Sequence, residues 1–536
     1  MSFSRREFMK VGATAAAAVV LPRSLALPRP VTLGRRPEPM PPIDDPRLKE
    51  LVARGLDAAR GAGAAYADVR LTHARKRDFR GGPVVSEVEE MVVGVRALVD
   101  GYWGFASGPV WSPDEMARLG REATAQARTN ALGKRRVVEL ASVSVVPDGR
   151  WVMPVKIDPF DVPPTEVMDH LQGLSLHAER TPGVTVVAND CSFTVQEKAF
   201  GSTDGSYCAQ RTYLTSGEFA IKVTDGDRQG AGTLDCLTPA GLGWELFRDQ
   251  PLRERIAQLI ADIRADMKLP VKPVDVGRYD AVFDAPTMAA LVAETIGRAT
   301  ELDRALGYEA NAGGTSYLDD PLAMLGSYHA GSPSLTVNAD RSMPGGAATV
   351  KWDDEGVAPD DFALVKDGVL VDFQTTRESA GWLKDYYTKA GRPVRSHGCA
   401  SAPSAVEAPL QRAPNLTMTS GRERLDFDGL VAGLASGIAV KGAAITMDFQ
   451  HLNGMGLGRV YEVRKGKRVA IIAGAGLLFR APELWKGLFA VGGSSSLQRY
   501  GLTSRKGEPA QAHVSSVTAP PAAFRQITVV DPLRKA

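Results

Sequence analysis

The C-terminal half of the chain combines one long helical pattern with many short strand patterns, and this combination limits the folds open to it. Residues 285–306 follow Asp284, a capping residue with an early proline, Pro286, behind it. Mostly apolar side chains then recur at steps of three and four residues, which predicts one buried helix face. These positions are Met288, Leu291, Val292, Thr295, Ile296, Ala299 and Leu302. The rest of 274–530 shows short strands between Gly and Asp turns, so we predict a β-rich domain with one embedded helix.

Two smaller α/β units are predicted before this domain. In the first, a helix at 47–62 precedes strands at 66–70, 87–99 and 102–107, and a second helix begins after Ser112. Asp100 and Gly101 form a hairpin-type turn between the last two strands. The second unit has helices at 165–178 and 252–267 around strands that include 184–187 and 213–223.

These patterns predict an α/β (α+β) fold, with small N-terminal α/β domains packed on a larger β-rich C-terminal domain. The predicted boundaries are 47–130, 155–270 and 274–530. The last boundary follows two prolines that interrupt the helix pattern, Pro270 and Pro273.

The N-terminus resembles a twin-arginine export signal over residues 1–26. Arg5 and Arg6 precede an uncharged run at 11–21 and then small residues that end at Ala26. The run is shorter than the ~20 apolar residues that a membrane helix needs. We therefore expect an exported, periplasmic protein, followed at 27–46 by a Pro- and Arg-rich linker.

The overall charge argues against several classes of partner. The chain of 536 residues carries 64 Lys and Arg against 62 Asp and Glu, so no positive excess is available for phosphates. We therefore expect neither nucleic-acid nor membrane-surface binding, and no later apolar run is long enough to predict a membrane span. Four cysteines are too few for a disulfide scaffold, and buried thiols are the preferred interpretation, with a Cys191–Cys208 pair as the alternative. The other two are Cys236 and Cys399.

Glu294, Arg298 and Glu301 form a candidate charge cluster on the predicted helix. Steps of four and three residues keep side chains adjacent on a helix, so Arg298 is expected to pair with both acids. The alternative interpretation is an ordinary solvated helix face, on which an ion pair would stabilise the fold by well under ~1 kcal/mol.

Several ordered segments resemble the TldD/PmbA (TldE) family of modulator-type metallopeptidases. They are GVRALVDGYWGFAS at 94–107, ELDRALGYEAN at 301–311, DDEGV at 353–357, LVKDGVL at 364–370, SRKGEP at 504–509 and PPAAFR at 520–525. The matches cover nearly all of the predicted mature chain.

The resemblance implies that this chain has lost a zinc site. Active members carry an HExxxH motif, and a cysteine in the closing segment completes three ligands for hydrolytic zinc. These positions are occupied here by Ala293, Arg298 and Ser504, and only the general-base glutamate remains, as Glu294. A methyl group cannot ligate zinc and a guanidinium offers only donors, so we predict no bound metal and no catalysis by Glu294.

The resemblance also implies a role in proteolysis. Members form two-subunit assemblies in which one partner carries zinc, and this chain is similar to the partner without it. We expect a dimer, with itself or with a paralogue that keeps HExxxH, which presents extended peptides. Two alternatives stay open: an active metallopeptidase with displaced ligands such as His397 or Cys399, and a peptide-binding scaffold.

Overall fold

The computed structural model of the protein describes residues 42–81, 84–132 and 137–532. The predicted export signal and residues 27–41 of the predicted linker lie outside these ranges. The described part has several sheets and many helices, so the predicted α/β (α+β) class is confirmed. In that part of the chain, no helix has the length and apolar character needed to cross a membrane.

The N-terminal strands form one sheet. They are β1 (Tyr66–Arg80), β2 (Val84–Val99), β3 (Tyr102–Gly108), β4 (Gly149–Val152), β5 (Val184–Ser202), β6 (Tyr207–Asp225) and β7 (Arg228–Thr233). Their order is β3-β2-β1-β5-β6-β4, with β7 paired to β6. The predicted units 47–130 and 155–270 are therefore joined through the antiparallel pairing of β1 with β5.

Helices cover one face of this sheet. They are α1 (Pro46–Gly61), α2 (Pro113–Ala131), α3 (Pro164–Glu179), α4 (Glu245–Arg248) and α5 (Leu252–Met267), with a 3₁₀ turn at Asp235–Leu237. Two of these helices begin at a capping side chain. The side chain of Asp45 accepts a hydrogen bond from the N–H of Arg47, and that of Ser112, the cap predicted from sequence, accepts one from the N–H of Glu115. Helices α1 and α2 pack on β1 through Val69 and its neighbours.

The opposite face of the sheet carries buried charges that contact the C-terminal domain. Because side chains alternate along a strand, Asp68 lies on the face opposite Val69. Asp68 is fully buried and pairs with Arg96 at 2.7 Å, and Arg96 also lies 3.4 Å from Glu355. Gly94 permits this close approach, since a Cβ there would lie 1.9 Å from the carbonyl oxygen of Ala405. The N-terminal sheet is thus joined to the C-terminal domain by the buried Arg96–Glu355 ion pair.

The C-terminal strands form two larger sheets and one small one. They are β8 (Val271–Lys272), β9 (Gly277–Phe283), β10 (Val337–Asp340), β11 (Asp361–Lys366), β12 (Val369–Leu370), β13 (Ala400–Ser401), β14 (Leu410–Gln411), β15 (Asn415–Met418), β16 (Ser436–Met447), β17 (Asn453–Arg464), β18 (Lys467–Ile472), β19 (Gly476–Arg480), β20 (Leu488–Val491), β21 (Gln498–Lys506), β22 (Gln511–Ala519) and β23 (Ala522–Val530). Strands β16, β9, β23, β19 and β17 close into a ring, because β16 also pairs with β17. A second sheet runs β12-β11-β10-β15-β22-β21, and β21 is one of its edges.

The embedded helix lies between the ring and the second sheet. The remaining helices are α6 (Ala285–Val292), α7 (Leu302–Ala305), α8 (Pro321–Met324), α9 (Arg377–Ala380), α10 (Lys384–Lys389), α11 (Phe427–Ala432) and α12 (Ala481–Lys486), with 3₁₀ turns at Gly381–Leu383 and Ser494–Ser496. Met288 and Leu291 of α6 share one core with Val440 of β16 and Val517 of β22. This core fixes α6, and with it the segment that follows.

Most predicted strands are longer in the structure than the sequence indicated. The strand predicted at 66–70 extends to Arg80, because its charged end is paired across the sheet. Arg75 and Arg77 both contact the carboxylate of Glu87 on β2. Polar cross-strand pairs stabilise a strand without an apolar alternation, so the pattern underestimated its length.

All four cysteines are free thiols. Cys191 lies opposite Gly217 in the β5–β6 pairing, whereas Cys208 lies opposite Phe200. The two thiols are therefore separated by nine positions along the hairpin, or about 30 Å, whereas a disulfide needs Cα atoms within roughly 7 Å. The alternative Cys191–Cys208 pair is excluded by this register.

Candidate functional site

The segment after α6 is a π turn, and the predicted continuous helix at 285–306 is wrong. The N–H of Arg298 donates to the carbonyl of Ala293 at 3.0 Å, an i→i+5 bond, and π geometry spans Ala293–Gly297. The helix is interrupted before α7 (Leu302–Ala305), because Gln374 binds the carbonyls of the intervening residues. Gln374 Nε2 donates to Gly297 O at 2.5 Å, and its backbone N–H donates to Thr300 O at 3.0 Å.

The π turn changes which side chains share a face. In an α-helix, residues five apart point about 140° away from each other. A turn closed by an i→i+5 bond brings positions 293 and 298 closer to one face, and such turns are frequent at functional sites. This local geometry suits an HExxxH-type spacing, although the two positions hold Ala293 and Arg298 here.

Glu294 and Arg298 make the ion pair expected from their spacing. Arg298 Nε lies 3.0 Å from Glu294 Oε2, and the side chains are 24% and 22% exposed. Burial raises the pKa of Glu294, and the charge of Arg298 opposes this effect. The expected Arg298–Glu301 pair is wrong: among the described residues, Glu301 has other partners. The regular helix has ended before these two residues, so side chains three positions apart no longer lie on the same helix face.

Glu301 is instead the centre of a buried set of cations. Its Oε2 lies 3.0 Å from Arg304 Nε and 3.1 Å from Lys506 Nζ, and its Oε1 lies 3.8 Å from Arg412 Nη1. Burial by itself raises the pKa of Glu301, but the charges of Lys506, Arg304 and Arg412 hold that pKa well below its usual range. The glutamate is therefore ionised at neutral pH.

Ser504 is linked to the same set of residues. It lies on β21, and the guanidinium of Arg412 donates a hydrogen bond to its hydroxyl oxygen. We call Glu294, Arg298, Glu301, Arg304, Arg412 and Lys506 the charge cluster. The sequence predicted only the first three members. Two of the other members could have been found from their positions in the sequence, because Lys506 lies two residues after Ser504 and Arg304 lies three residues after Glu301. Arg412 has no such relation to a predicted site residue.

The residues at the family's zinc positions do not fit the metal. Ala293 supplies a methyl group, Arg298 a guanidinium, and the Ser504 hydroxyl already accepts from Arg412. His451 lies nearby, with Nδ1 3.3 Å from the Glu294 carbonyl oxygen, and burial together with Arg304 and Arg298 lowers its pKa to about 4. Across the described residues, no three His, Cys, Asp or Glu side chains are grouped to hold a metal.

The proposed displaced ligands are committed to other contacts. His397 Nδ1 lies 2.9 Å from Asp360 and its Nε2 lies 3.2 Å from Asp372, so both ring nitrogens face carboxylates, which raise the pKa of His397 and favour its protonated form. An imidazolium has no lone pair for a metal. Cys399 is fully buried, and burial raises the pKa of its thiol to about 12. His397 also borders a pocket of about 230 Å³ with Phe362, whose ring stacks on the imidazole at 3.9 Å.

The comparisons with known proteins agree with this architecture. Residues 276–531 match the PmbA/TldA metallopeptidase C-terminal domain, and residues 78–127 match PmbA/TldA metallopeptidase domain 1. A metalloprotease of Methanocaldococcus jannaschii is 23% identical over 70% of this chain and 78% of its own. A metalloprotease of Methanothermobacter thermautotrophicus is 26% identical over 65% of this chain and 69% of its own.

A solved structure shares the fold at low sequence identity. TldE from Thermococcus kodakarensis superposes with a TM-score of 0.65 at 14% identity, over 90% of this chain and 100% of that one. At this identity the likeness concerns the fold, while the two matched domains come from a single family. From its matched domains, its relatives and its fold, the chain belongs to the PmbA/TldD family of metallopeptidase-type proteins.

Proposed function

We propose that this chain is the non-catalytic, peptide-binding subunit of a PmbA/TldD-type proteolytic assembly. The observation that carries the proposal is the content of the three zinc positions. Ala293 and Arg298 offer no lone pair, and the hydroxyl of Ser504 is held by Arg412. A second subunit, either another copy or a paralogue with an intact HExxxH motif, would supply the metal.

The edge strand β21 supports a role in binding extended peptides. The N–H of Gly501 donates to Thr238 Oγ1 at 2.9 Å, so it faces away from β22. Backbone groups alternate along an antiparallel strand, and the β21–β22 register has no shift. By this alternation the N–H groups of Thr503 and Arg505 also face away from β22, and both side chains are exposed. An extended peptide can add to such an edge through main-chain hydrogen bonds.

A proline substitution tests this edge without breaking the sheet. Thr503→Pro removes an N–H that faces outward, and proline is tolerated on the open side of an edge strand. We expect Thr503→Pro to weaken binding of a labelled extended peptide about tenfold or more, which corresponds to ~1.4 kcal/mol. Thr503→Val keeps the N–H and serves as the matched control. Equal binding by the two variants would exclude β21 as the peptide site.

Metal content and activity test the subunit assignment. The purified chain is expected to contain far less than one zinc per chain and to show no chelator-sensitive peptidase activity by itself. Co-purification with a zinc-bearing relative, with activity that needs both chains, would support the partner role. Stoichiometric zinc that disappears in His397→Ala or Cys399→Ala would favour displaced ligands. Peptide binding without any partner or activity would favour a scaffold.

The proposal places the assembly outside the cytoplasm. This localisation rests on the twin-arginine pattern at Arg5 and Arg6, which lie outside the described ranges. Twin-arginine substrates fold before export, which suits a protein whose N-terminal sheet and C-terminal domain are joined by a buried ion pair, Arg96–Glu355. Fractionation of cells that express the full chain is the direct test.

A further inference from the structure

Arg298 differs from the other cations of the charge cluster because its guanidinium is partly exposed. The side chain is 24% exposed, whereas those of Arg304 and Lys506 are fully buried. Its Nε faces Glu294 at 3.0 Å, but its Nη1 and Nη2 make no hydrogen bond with any other described residue. Two N–H-bearing nitrogens of one planar group are thus left for a ligand.

Hydrogen-bond donors outnumber acceptors in the part of the charge cluster around the Arg298 guanidinium. Arg304 Nη2 and Arg412 Nε are both buried and also lack a hydrogen-bond partner within the described ranges. The nearby carboxylate of Glu301 is already shared among Arg304, Lys506 and Arg412. A site with unpaired guanidinium donors favours an acceptor-only ligand, and a carboxylate matches the arginine fork with two parallel hydrogen bonds.

Arg412 connects Arg298 to the open edge of β21. It donates to Ser504, which lies between the outward-facing Thr503 and Arg505. The residues that precede Arg298 and follow Arg412 are packed together, since a Cβ on Gly297 would lie 4.0 Å from that of Ala413, and the positive charge of Arg298 adds to the burial that lowers the pKa of Arg412. A peptide strand on β21 would therefore run beside the free donors of Arg298.

We propose that Arg298 binds a carboxylate of an extended peptide lying along β21, so that this chain receives an anion at the place where its active relatives hold zinc. The inference rests on the proposed peptide-binding function. Two sources share this chemistry: the C-terminal carboxylate of the peptide and the side chain of an acidic residue within it.

Three forms of one labelled peptide separate these sources. They are a free acid without acidic side chains, its C-terminal amide, and the same amide with one internal glutamate. Binding to the purified full-length chain is measured by fluorescence anisotropy. We expect one or both carboxylate-bearing forms to bind about tenfold or more tightly than the neutral amide, as a charge-assisted pair should provide. The form that gains identifies the source.

Variants of Arg298 test the fork itself. Arg298→Gln should abolish the advantage of the carboxylate form, and Arg298→Lys, which keeps the charge without the fork, should retain only part of it. Arg525→Gln is the matched control, because Arg525 is 62% exposed and pairs with Asp280 in the ring, whereas β21 belongs to the second sheet. Melting curves confirm that each variant is folded.

The possible failures are distinguishable. Equal binding of all three peptide forms, or an advantage that survives in Arg298→Gln, overturns the carboxylate site while leaving peptide binding on β21 intact. Binding that is insensitive to Thr503→Pro overturns the proposed peptide edge instead. If no form of the peptide binds, both proposals fail.

Discussion

Lys506 Nζ lies 3.1 Å from Glu301 Oε2, and neither side chain is more than 1% exposed. Lys506 ends β21, whereas Glu301 follows the π turn, so this contact joins the edge strand to the segment that carries the family's zinc positions. The same carboxylate also holds Arg304 and lies near Arg412. The carboxylate of Glu301 thereby links the cations that surround the family's zinc positions.

Glu301→Gln is expected to destabilise the protein by ~3–5 kcal/mol, since it leaves buried cations without their shared carboxylate. The measurement is the free energy of unfolding in urea. Adding Lys506→Met should recover part of the loss, because the unpaired charge is then removed as well. Glu483→Gln is a matched control: Glu483 also pairs with an arginine three residues away, but that pair is more than half exposed. Equal losses for Glu301→Gln and Glu483→Gln would contradict the central role of Glu301.

Glu294→Gln should cost much less, about 1 kcal/mol or below, because the Glu294–Arg298 pair is only partly buried. Glu294→Gln combined with Arg298→Met should recover part of that cost. Thermal melting of these variants beside Glu122→Gln, which breaks an exposed pair at the same four-residue spacing, provides the scale. A loss as large as that of Glu301→Gln would mean that the assembly buries this pair further.

Restoring the zinc positions should not by itself restore strong zinc binding. In Ala293→His, Arg298→His, Ser504→Cys, the cations Arg304, Arg412 and Lys506 remain and oppose a second positive charge. We expect substoichiometric zinc in this triple variant and more after addition of Arg412→Met. Metal analysis by mass spectrometry after dialysis gives the comparison. Identical zinc content in the two variants would show that the charge of Arg412 is not the obstacle.

The Asp360–His397–Asp372 contact should make stability depend on pH. Burial alone lowers the pKa of His397, but hydrogen bonds to Asp360 and Asp372 outweigh it, so the folded-state pKa is raised. The stabilisation is complete below the unfolded-state value of about 6.5 and is lost as pH rises through the folded-state value. Each charged hydrogen bond is worth ~1.5–3 kcal/mol.

The check is the difference in unfolding free energy between the wild type and His397→Gln. This difference should be largest below about pH 6.5 and should shrink as the pH rises through the raised folded-state pKa. His329→Gln, at an exposed histidine, should show little difference at either pH. A His397 difference that is constant with pH would mean that the imidazole is not charged in the folded state. Other charged or titratable groups at this pocket are Asp361, Tyr387, Arg392 and Arg395.

Export should depend on the paired arginines. Arg5→Lys with Arg6→Lys is expected to leave the unprocessed chain in the cytoplasm, because the twin-arginine route reads that pair. Immunoblots of cytoplasmic and periplasmic fractions provide the measurement. A mature chain that still appears in the periplasm would refute the localisation.

Local patterns were sufficient for the elements whose causes are local. The start of α6 follows from the cap at Asp284, whose side chain accepts from the N–H of Thr287, and from the three- and four-residue apolar period. The Glu294–Arg298 pair follows from its spacing alone. The absence of zinc ligands follows from the chemistry of three side chains once the family resemblance supplied their positions.

Contacts between distant segments decided the rest. The helix ends after its π turn because Gln374 takes the carbonyls of Gly297 and Thr300, and no helix period records a partner so far along the chain. Glu301 meets Lys506 across 205 residues, and Arg412 reaches both Glu301 and Ser504 from a separate strand connection. Local sequence expresses propensity and neighbour spacing, whereas burial of charge depends on which segments the packed core brings together. The composition of the charge cluster was therefore settled only in three dimensions.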